Sequence, residues 1–273
     1  MREFPNILTI AGTDPGGGAG IQADLKTATV LKGFGLSVIT ALVAQNGAGV
    51  KGIMPVPPDF VALQLQTVYE GFEVHAAKTG MLCNAPIMEA LVPELEKRSF
   101  PLVVDPVCVS QSGHKLIEDD AIDVLRKKIV PQADLLTPNV PEAEVLSGVT
   151  INSMQDMEKA VATLLKSGAK AVLMKGGHFN VGGPGSDKSK LTDWLCTADG
   201  NILPLEHERI ATNNNHGTGC TISAAITTFL GMGYPLEEAV KKGQQFLLRA
   251  LKYSFHPGKI GAGPVNFVAG AGL

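Results

Sequence analysis

The sequence predicts a single three-layer α/β domain in which helices cover both faces of a central, mostly parallel sheet. Short apolar segments alternate with longer helical segments along most of the chain, an order typical of parallel strands joined by crossover helices. The 273 residues are 45% hydrophobic and 18% charged, which supplies the apolar side chains for a large core. No internal repeat or low-complexity linker divides residues 1–273. We therefore expect one domain.

The elements follow one another in a regular order. Residues 7–11 form an apolar run that ends in glycine-rich sequence, and apolar residues at helical spacing follow from Ile21 to Leu31, which predicts strand, loop and helix. Further strands are predicted at residues 37–43, 102–104, 134–136 and 171–174. The helices between them are predicted at residues 59–69, 85–97, 119–128 and 154–166. Two last helices are predicted at residues 218–230 and 236–250, separated by a break at residues 231–235.

Composition and charge exclude several classes of protein. A formal net charge of −3 without a basic cluster lacks the electrostatic footprint of a nucleic-acid-binding protein. No apolar run reaches the roughly 20 residues of a membrane-spanning helix. The first residues, MREFPNILTIAGTD, have too short an apolar stretch for a signal peptide. The four cysteines are widely spaced and predict neither a zinc site nor a disulfide framework. We expect a cytoplasmic protein that binds neither membranes nor nucleic acids.

The first chemistry-bearing segment is the glycine-rich loop at residues 11–27, AGTDPGGGAGIQADLKT. Glycines between a strand and a helix let the backbone approach a ligand closely. The loop lacks the GK[ST] of a Walker A motif and the full GxGxxG pattern. The alternative interpretation is that its glycines only form the turn between strand and helix. Asp24 lies one turn into the apolar helix. Its carboxylate either faces solvent or accepts hydrogen bonds from a ligand's amine.

The second segment is NNNHGTGCTISAA, at residues 213–225. Its glycines and threonine run directly into an apolar helix, so backbone N–H groups and the positive helix end face one point and predict an anion hole. Cys220 falls in the first turn. The helix end there should favour the thiolate, which could take a proton from an alcohol that attacks phosphate. The alternative is that Cys220 is a small buried hydrophobic residue.

Two further segments each begin or end at a strand. In TPNVPEAEVL, residues 137–146, Asn139 and Glu142 lie three residues apart at a helix start. Their oxygens suit Mg²⁺, usually bound through water, and thereby a nucleotide's phosphates. The alternative is a helix capping box. In MKGGH, residues 174–178, a strand ends on Lys175, which places an ammonium at the carboxyl edge of the sheet, where ligands bind in open α/β folds.

Eight segments in one order resemble the hydroxymethylpyrimidine/phosphomethylpyrimidine kinases of thiamine biosynthesis, within the ribokinase-like superfamily. They are AGTDPGGGAGIQADLKT, TALVAQN, KTGML, VVDPV, TPNVPEAE, MKGGH, HGTGCT and GPVN. The resemblance implies a ribokinase-like fold with a short lid over the site, and commonly a homodimer. It also implies that ATP and Mg²⁺ are used to phosphorylate 4-amino-5-hydroxymethyl-2-methylpyrimidine to its monophosphate and then to its diphosphate.

The resemblance also implies roles for individual residues. The family's pyrimidine-contacting pattern falls on Gly12, Asp24, Gln45, Met81 and Val107. Its anion hole falls on Gly217, Thr218 and Gly219, and its catalytic base on Cys220. Lys175 would neutralise ATP phosphate charge, while Asn139 and Glu142, with Asp105 as a weaker candidate, would hold the magnesium ion and its waters. Phosphoryl transfer needs mainly such positioning and charge stabilisation. No role is assigned to Cys108, His114 and Lys115 of the presumed lid, or to Lys188 and Lys190.

Two other functions remain open at this stage. A pyridoxal kinase of a related group would share the glycine-rich loop and the HGxGC segment, but that group tends to carry an apolar side chain at the position of Gln45. Burying an amide without a partner costs about 1–3 kcal/mol, which favours a pyrimidine that can pair with Gln45. The second alternative is a non-catalytic pyrimidine-binding protein, since a fold does not guarantee chemistry.

Overall fold

The structure is a computed structural model that describes residues 1, 3–108, 117–176 and 189–273. His114 and Lys115 of the presumed lid, and His178 and Lys188, lie outside the described residues. The strands are β1 (Asn6–Ala11), β2 (Phe34–Ile39), β3 (Ala41–Asn46), β4 (Gly49–Pro55), β5 (Ala76–Thr79), β6 (Leu102–Val104), β7 (Leu135–Leu136), β8 (Ala171–Met174), β9 (Lys190–Thr197) and β10 (Ile202–Glu208).

Eight of these strands form one sheet in the order β10-β9-β8-β7-β6-β5-β1-β2. The strands from β8 to β2 are parallel to one another, whereas β9 is antiparallel to β8 and β10 is antiparallel to β9. The strands β3 and β4 form a separate antiparallel pair. The prediction of a central, mainly parallel sheet is confirmed.

Helices cover both faces of the main sheet. They are α1 (Gly20–Val30), α2 (Pro58–Gly71), α3 (Ala85–Leu95), α4 (Asp119–Val124), α5 (Val140–Ser147), α6 (Met154–Lys166), α7 (Thr218–Gly231), α8 (Leu236–Lys252) and α9 (Phe267–Ala271). Helices α2 to α6 pack on one face through a large apolar core, while α1, α7 and α8 cover the other face. Among the described residues, every helix falls short of the length and apolarity that a membrane span requires.

The predicted strand at residues 37–43 is wrong, because the chain divides there between two sheets. The division lies at Thr40, which is fully buried. Its N–H donates to the Ala11 carbonyl at 3.1 Å, and its hydroxyl donates to the Met81 carbonyl at 2.7 Å. Thr40 therefore joins the ends of β1 and β5 to the start of β3, and it brings the small sheet against the carboxyl edge of the large one.

Candidate active site

The carboxyl ends of four parallel strands lie along one edge of the sheet, where open α/β folds bind their ligands. Gly12 follows β1, Gly80 follows β5, Asp105 follows β6 and Lys175 follows β8. The first turn of α7 reaches the same edge. A Cβ atom built on Gly219 would lie 3.5 Å from Lys175 Nζ and 3.6 Å from Asp105 Oδ2. The structure thus brings together residues that come from distant segments of the sequence.

The start of α7 has the geometry of an anion hole. Gly217 precedes the helix with a φ of 81°, a left-handed conformation that favours glycine. A Cβ atom there would lie 1.7 Å from the Gly18 carbonyl oxygen, so no other residue fits. Within the described part of the chain, the N–H groups of Gly219 and Cys220 have no acceptor, whereas that of Thr218 donates to a carbonyl at 3.4 Å. Gly217 and Thr218 therefore shape the turn, and the open donors come from the next two residues.

The Lys175 ammonium lies between two buried carboxylates. Its Nζ atom is 3.3 Å from Asp105 Oδ1 and 4.0 Å from Glu142 Oε2. Burial lowers the pKa of Lys175, but the two carboxylates outweigh it, so the pKa is raised and the ammonium stays charged. Burial raises the pKa of Glu142 to about 7 although Lys175 opposes the rise. The Lys175 ammonium thus faces two acidic groups, Asp105 and Glu142, so the potential around these three side chains is negative when both acids are ionised.

Asn139 and Glu142 form the capping box that was the alternative interpretation of their spacing. Asn139 Oδ1 accepts from the Glu142 N–H at 2.9 Å, and Glu142 Oε2 accepts from the Asn139 N–H at 2.8 Å. The two residues therefore begin α5 and fix each other. The amide oxygen of Asn139 thus orients Glu142, and its expected contact with the magnesium ion and its waters stays a prediction.

The carboxylates fit a magnesium ion that keeps water and substrate ligands. The described residues contain no group of three or more His, Cys, Asp or Glu side chains that could hold a metal ion by themselves. Mg²⁺ commonly takes only one or two protein carboxylates and completes its shell with water and phosphate oxygens. Asp105 and Glu142, buried beside a single ammonium, offer two such carboxylates.

Beside the anion hole lies a small apolar cradle. A Cβ atom on Gly12 would lie 2.5 Å from Met81 Cε and 3.7 Å from Val43 Cγ2, so the absence of a side chain at Gly12 lets Met81 pack directly against the backbone. Gln45 follows Val43 on β3, after a bulge, and is half-buried. Within the described residues its side-chain amide has no hydrogen-bond partner. Val107 is half-buried three residues after β6 ends.

Asp24 is not placed to accept from a ligand's amine, and that expectation is corrected here. Its carboxylate is buried, with Oδ1 accepting from Lys78 Nζ at 2.7 Å and Oδ2 accepting from Thr9 Oγ1 at 2.6 Å. Both oxygens thus have protein partners. Lys78 is 1% exposed, so the pair is an internal ion pair beneath the site.

The expected thiolate of Cys220 is also corrected. Cys220 is half-buried in the first turn of α7, and its sulfur accepts a hydrogen bond from the Gly20 N–H. Burial raises the pKa of the thiol to about 12, Asp24 and Asp105 add to the rise, and Lys78 opposes it. The loss of hydration therefore outweighs the favourable helix end, and Cys220 is a thiol at neutral pH.

Lys78 and the pair formed by Asp14 and His216 were not predicted from the sequence as site residues. His216 Nε2 lies 2.8 Å from Asp14 Oδ2, which joins the glycine-rich loop to the anion-hole loop. Asp14 also accepts from the N–H groups of Gly16, Gly18 and Ala19. In the sequence, an aspartate that follows a strand and precedes glycines is a signal for a residue that stabilises a loop by accepting hydrogen bonds from its backbone. Lys78 carried a weaker signal, a single charge inside an apolar segment.

Known proteins resemble the chain over nearly its whole length. The model of the phosphomethylpyrimidine kinase family matches residues 14–266. The hydroxymethylpyrimidine/phosphomethylpyrimidine kinase of Haemophilus influenzae is 42% identical over 97% of both chains. The thiamine biosynthesis bifunctional protein ThiED of Geobacter sulfurreducens is 44% identical over 98% of this chain and 54% of its own length.

A solved structure agrees in fold. The Bacillus subtilis pyridoxal kinase in its ADP complex superposes with a TM-score of 0.85 at 33% identity, covering 97% of this chain and 98% of its own. The ribokinase-like fold predicted from the resemblance is confirmed by this likeness. The family match, the full-length relatives and the arrangement of site residues agree, and the chain belongs to the phosphomethylpyrimidine kinase family.

Proposed function

We propose that the protein transfers the γ-phosphoryl group of ATP to the hydroxymethyl group of 4-amino-5-hydroxymethyl-2-methylpyrimidine, and a second phosphoryl group to the resulting monophosphate. The reaction belongs to thiamine biosynthesis. The observation that carries the proposal is the meeting of the open N–H groups of Gly219 and Cys220 with the Lys175 ammonium, beside the cradle of Gly12 and Met81. A transferring phosphoryl group needs such converging positive charge, and its acceptor needs an apolar cradle with a polar edge.

Some site residues are proposed to bind the nucleotide and others to bind the acceptor. Lys175 and the open N–H groups neutralise charge on the phosphoryl oxygens. Asp105 and Glu142 would hold Mg²⁺, which would supply positive charge against the negative charge of the phosphates. An open depression of about 500 Å³ is lined by residues 209–213, which precede the anion-hole loop in the sequence, and it is proposed as space for the nucleoside. On the acceptor side, Met81 and Val107 contact the ring, and Gln45 pairs with its polar edge.

Cys220 is proposed as the group that takes the proton of the attacking alcohol. A thiol with a pKa of about 12 is almost wholly protonated at neutral pH, so the base is a minority form of the resting enzyme. Phosphoryl transfer proceeds through a loose transition state, in which little proton transfer to the base is needed until late in the reaction. The second transfer starts from a phosphate oxygen that is already ionised, and it needs no base.

A pyridoxal kinase is the second candidate, because the solved structure described above has that activity. Gln45 favours the pyrimidine. Its amide has no hydrogen-bond partner within the described chain, so a ligand with donors and acceptors in the ring plane can satisfy it. The test is a parallel assay of ATP consumption with the pyrimidine alcohol, its monophosphate and pyridoxal. Preferential use of pyridoxal would reverse the order of the two candidates, and use of none would mean a non-catalytic protein.

The protein is proposed to act as a homodimer in the cytoplasm. The two-stranded sheet exposes Leu42, Val50 and Met54, an apolar surface that a second copy of this chain would cover. Sedimentation velocity tests the dimer: Met54→Glu should shift the protein to a monomer, and a monomeric parent protein would contradict it. The cysteines are free thiols, as expected in a reducing compartment.

A further inference from the structure

Asp193 on β9 has no role in the functions described above, although its carboxyl group is buried and both of its oxygens have partners. Oδ1 accepts from the Gly176 N–H at 2.8 Å, and Oδ2 accepts from Gln244 Nε2 on α8 at 2.8 Å. His207 Nε2, on β10, lies 3.6 Å from Oδ2. The residue is 6% exposed. Two other elements therefore hold the carboxyl group, and it presents one fixed oxygen to the residue that follows Lys175.

The contact lies where the ladder between β8 and β9 ends. The last pair of that ladder joins Met174 to Trp194. Beyond it, the Gly176 N–H donates to the side chain of Asp193. A Cβ atom on Gly176 would lie 1.7 Å from the Thr192 carbonyl oxygen, so the two backbones approach closely and only glycine fits. The carboxyl group thus takes over from the ladder and fixes the backbone just after β8.

The backbone of Lys175 is also fixed at its own N–H. This group donates to the Pro138 carbonyl at 3.0 Å, and a parallel bridge joins Lys175 to Asn139 at the start of α5. Lys175 is therefore held between α5 on one side and Asp193 on the other. A lysine side chain is long and flexible, so the position of its ammonium depends on where the backbone starts it. A reacting or binding group displaced by about 1 Å can lose roughly a hundredfold in rate.

We propose that Asp193, held by Gln244, is a positioning residue for Lys175. It anchors the backbone at Gly176 and thereby keeps the Lys175 ammonium where it meets the phosphoryl oxygens of ATP. No bond forms or breaks at Asp193. The effect on phosphoryl transfer rests on the proposed function, whereas the effect on nucleotide binding needs no acceptor. The competing explanation is that Asp193 only satisfies buried polar groups and stabilises the fold.

A double-mutant cycle with Lys175→Met tests the proposal. Asp193→Ala removes the acceptor of the Gly176 N–H, so kcat for the pyrimidine alcohol should fall on the order of tenfold to a hundredfold. In the Lys175→Met background the same change should lower kcat less than about threefold, because the ammonium that it positions is already absent. Asp199→Ala removes an exposed carboxylate from the turn between β9 and β10, and this matched control should behave as the parent protein. Losses that multiply in the double variant would overturn the proposal.

Two further variants keep the test independent of misfolding. Asp193→Asn retains an oxygen for the Gly176 N–H, so it should lower the stability to urea but keep kcat within about threefold of the parent value. Equal losses of kcat in Asp193→Asn and Asp193→Ala would contradict the positioning role. Gln244→Met frees Oδ2 of Asp193 and gives a second entry into the cycle if Asp193→Ala does not fold. It should lower kcat with Lys175 present and leave it unchanged in the Lys175→Met background, and equal losses in both would count against the proposal.

Calorimetry of MgATP binding, without any acceptor, separates this inference from the proposed function. Asp193→Ala should raise the Kd about tenfold in the parent protein and leave it unchanged in Lys175→Met. If the cycle shows this coupling but the parent protein phosphorylates no pyrimidine, the proposed function fails while the positioning of Lys175 stands. If the parent protein phosphorylates the pyrimidine but the changes in Kd are additive, the inference fails alone. A parent protein that binds no MgATP would contradict both.

Discussion

At the scale of single residues, the sequence identifies which side chains carry chemistry better than it identifies their partners. Lys175, Glu142 and Cys220 were all found from local motifs, and all lie at one edge of the sheet. The charge state of Cys220 could not be found in this way, because it depends on burial by distant segments. Asp24 was misassigned for the same reason, since its partner Lys78 is 54 residues away along the chain.

Gln45 determines the choice of acceptor in this account. Gln45→Met should lower kcat/KM for the pyrimidine about tenfold or more and shift preference towards pyridoxal, because the amide supplies the polar part of the contact. The measurement is the ratio of kcat/KM for the two acceptors. Ala44→Met adds the same side chain at the exposed neighbouring position and is the matched control. An unchanged ratio in Gln45→Met would remove Gln45 from substrate selection.

Glu142 acts on the nucleotide side. Glu142→Gln keeps an oxygen that can accept from the Asn139 N–H but removes the charge, so the magnesium concentration for half-maximal activity should rise about tenfold. Calorimetry should show pyrimidine binding nearly unchanged. Glu144→Gln, on the same helix, is the control and should behave as the parent protein. Loss of pyrimidine binding with an unaltered magnesium requirement would mean that the carboxylate serves the acceptor instead.

At the scale of secondary-structure elements, uninterrupted apolar or periodic segments were predicted well, whereas divided ones and those with polar residues among the apolar ones were not. Strand β8 and helix α6 have the predicted bounds. Strand β5 was missed because Lys78 interrupts its apolar run, and its charge is tolerated only through Asp24. The antiparallel strands β9 and β10 were missed because their sequences mix polar and apolar residues, and β10, at the edge of the sheet, contains a proline, as edge strands often do.

The two loops of the site are joined by Asp14. Burial raises the pKa of Asp14, but His216 and the loop N–H groups outweigh it and lower the pKa to about 2. A carboxyl group whose pKa is lower in the folded state stabilises the fold above its unfolded pKa, and loses that effect as the pH falls through the folded pKa. Asp14→Asn should therefore unfold more easily at pH 7, by about 2 kcal/mol.

The difference should shrink steadily between about pH 4 and pH 2. Urea unfolding of both proteins across this range is the measurement. The surface variant Asp59→Asn provides the baseline. A difference between Asp14→Asn and the parent protein that stays constant down to pH 2 would show that the loop connection does not depend on the charge of Asp14.

At the scale of the whole molecule, the sheet edge explains why residues from five segments form one site. The order of the parallel strands puts β1, β5, β6, β7 and β8 side by side, so the residues that follow them meet although they are far apart in sequence. Strand alternation alone predicts this convergence. It does not predict the separate sheet of β3 and β4 that carries Gln45, because the division at Thr40 depends on hydrogen bonds to Ala11 and Met81.

The central claim is that this one site phosphorylates the pyrimidine alcohol twice. Phosphorus NMR of the protein with MgATP and 4-amino-5-hydroxymethyl-2-methylpyrimidine tests it most directly. The account predicts that a monophosphate signal appears first and gives way to a diphosphate, and that Lys175→Met, which removes the ammonium beside the anion hole, slows both steps by a factor of about 10² or more. Absence of both products from the parent protein, or unchanged rates in Lys175→Met, would contradict the account.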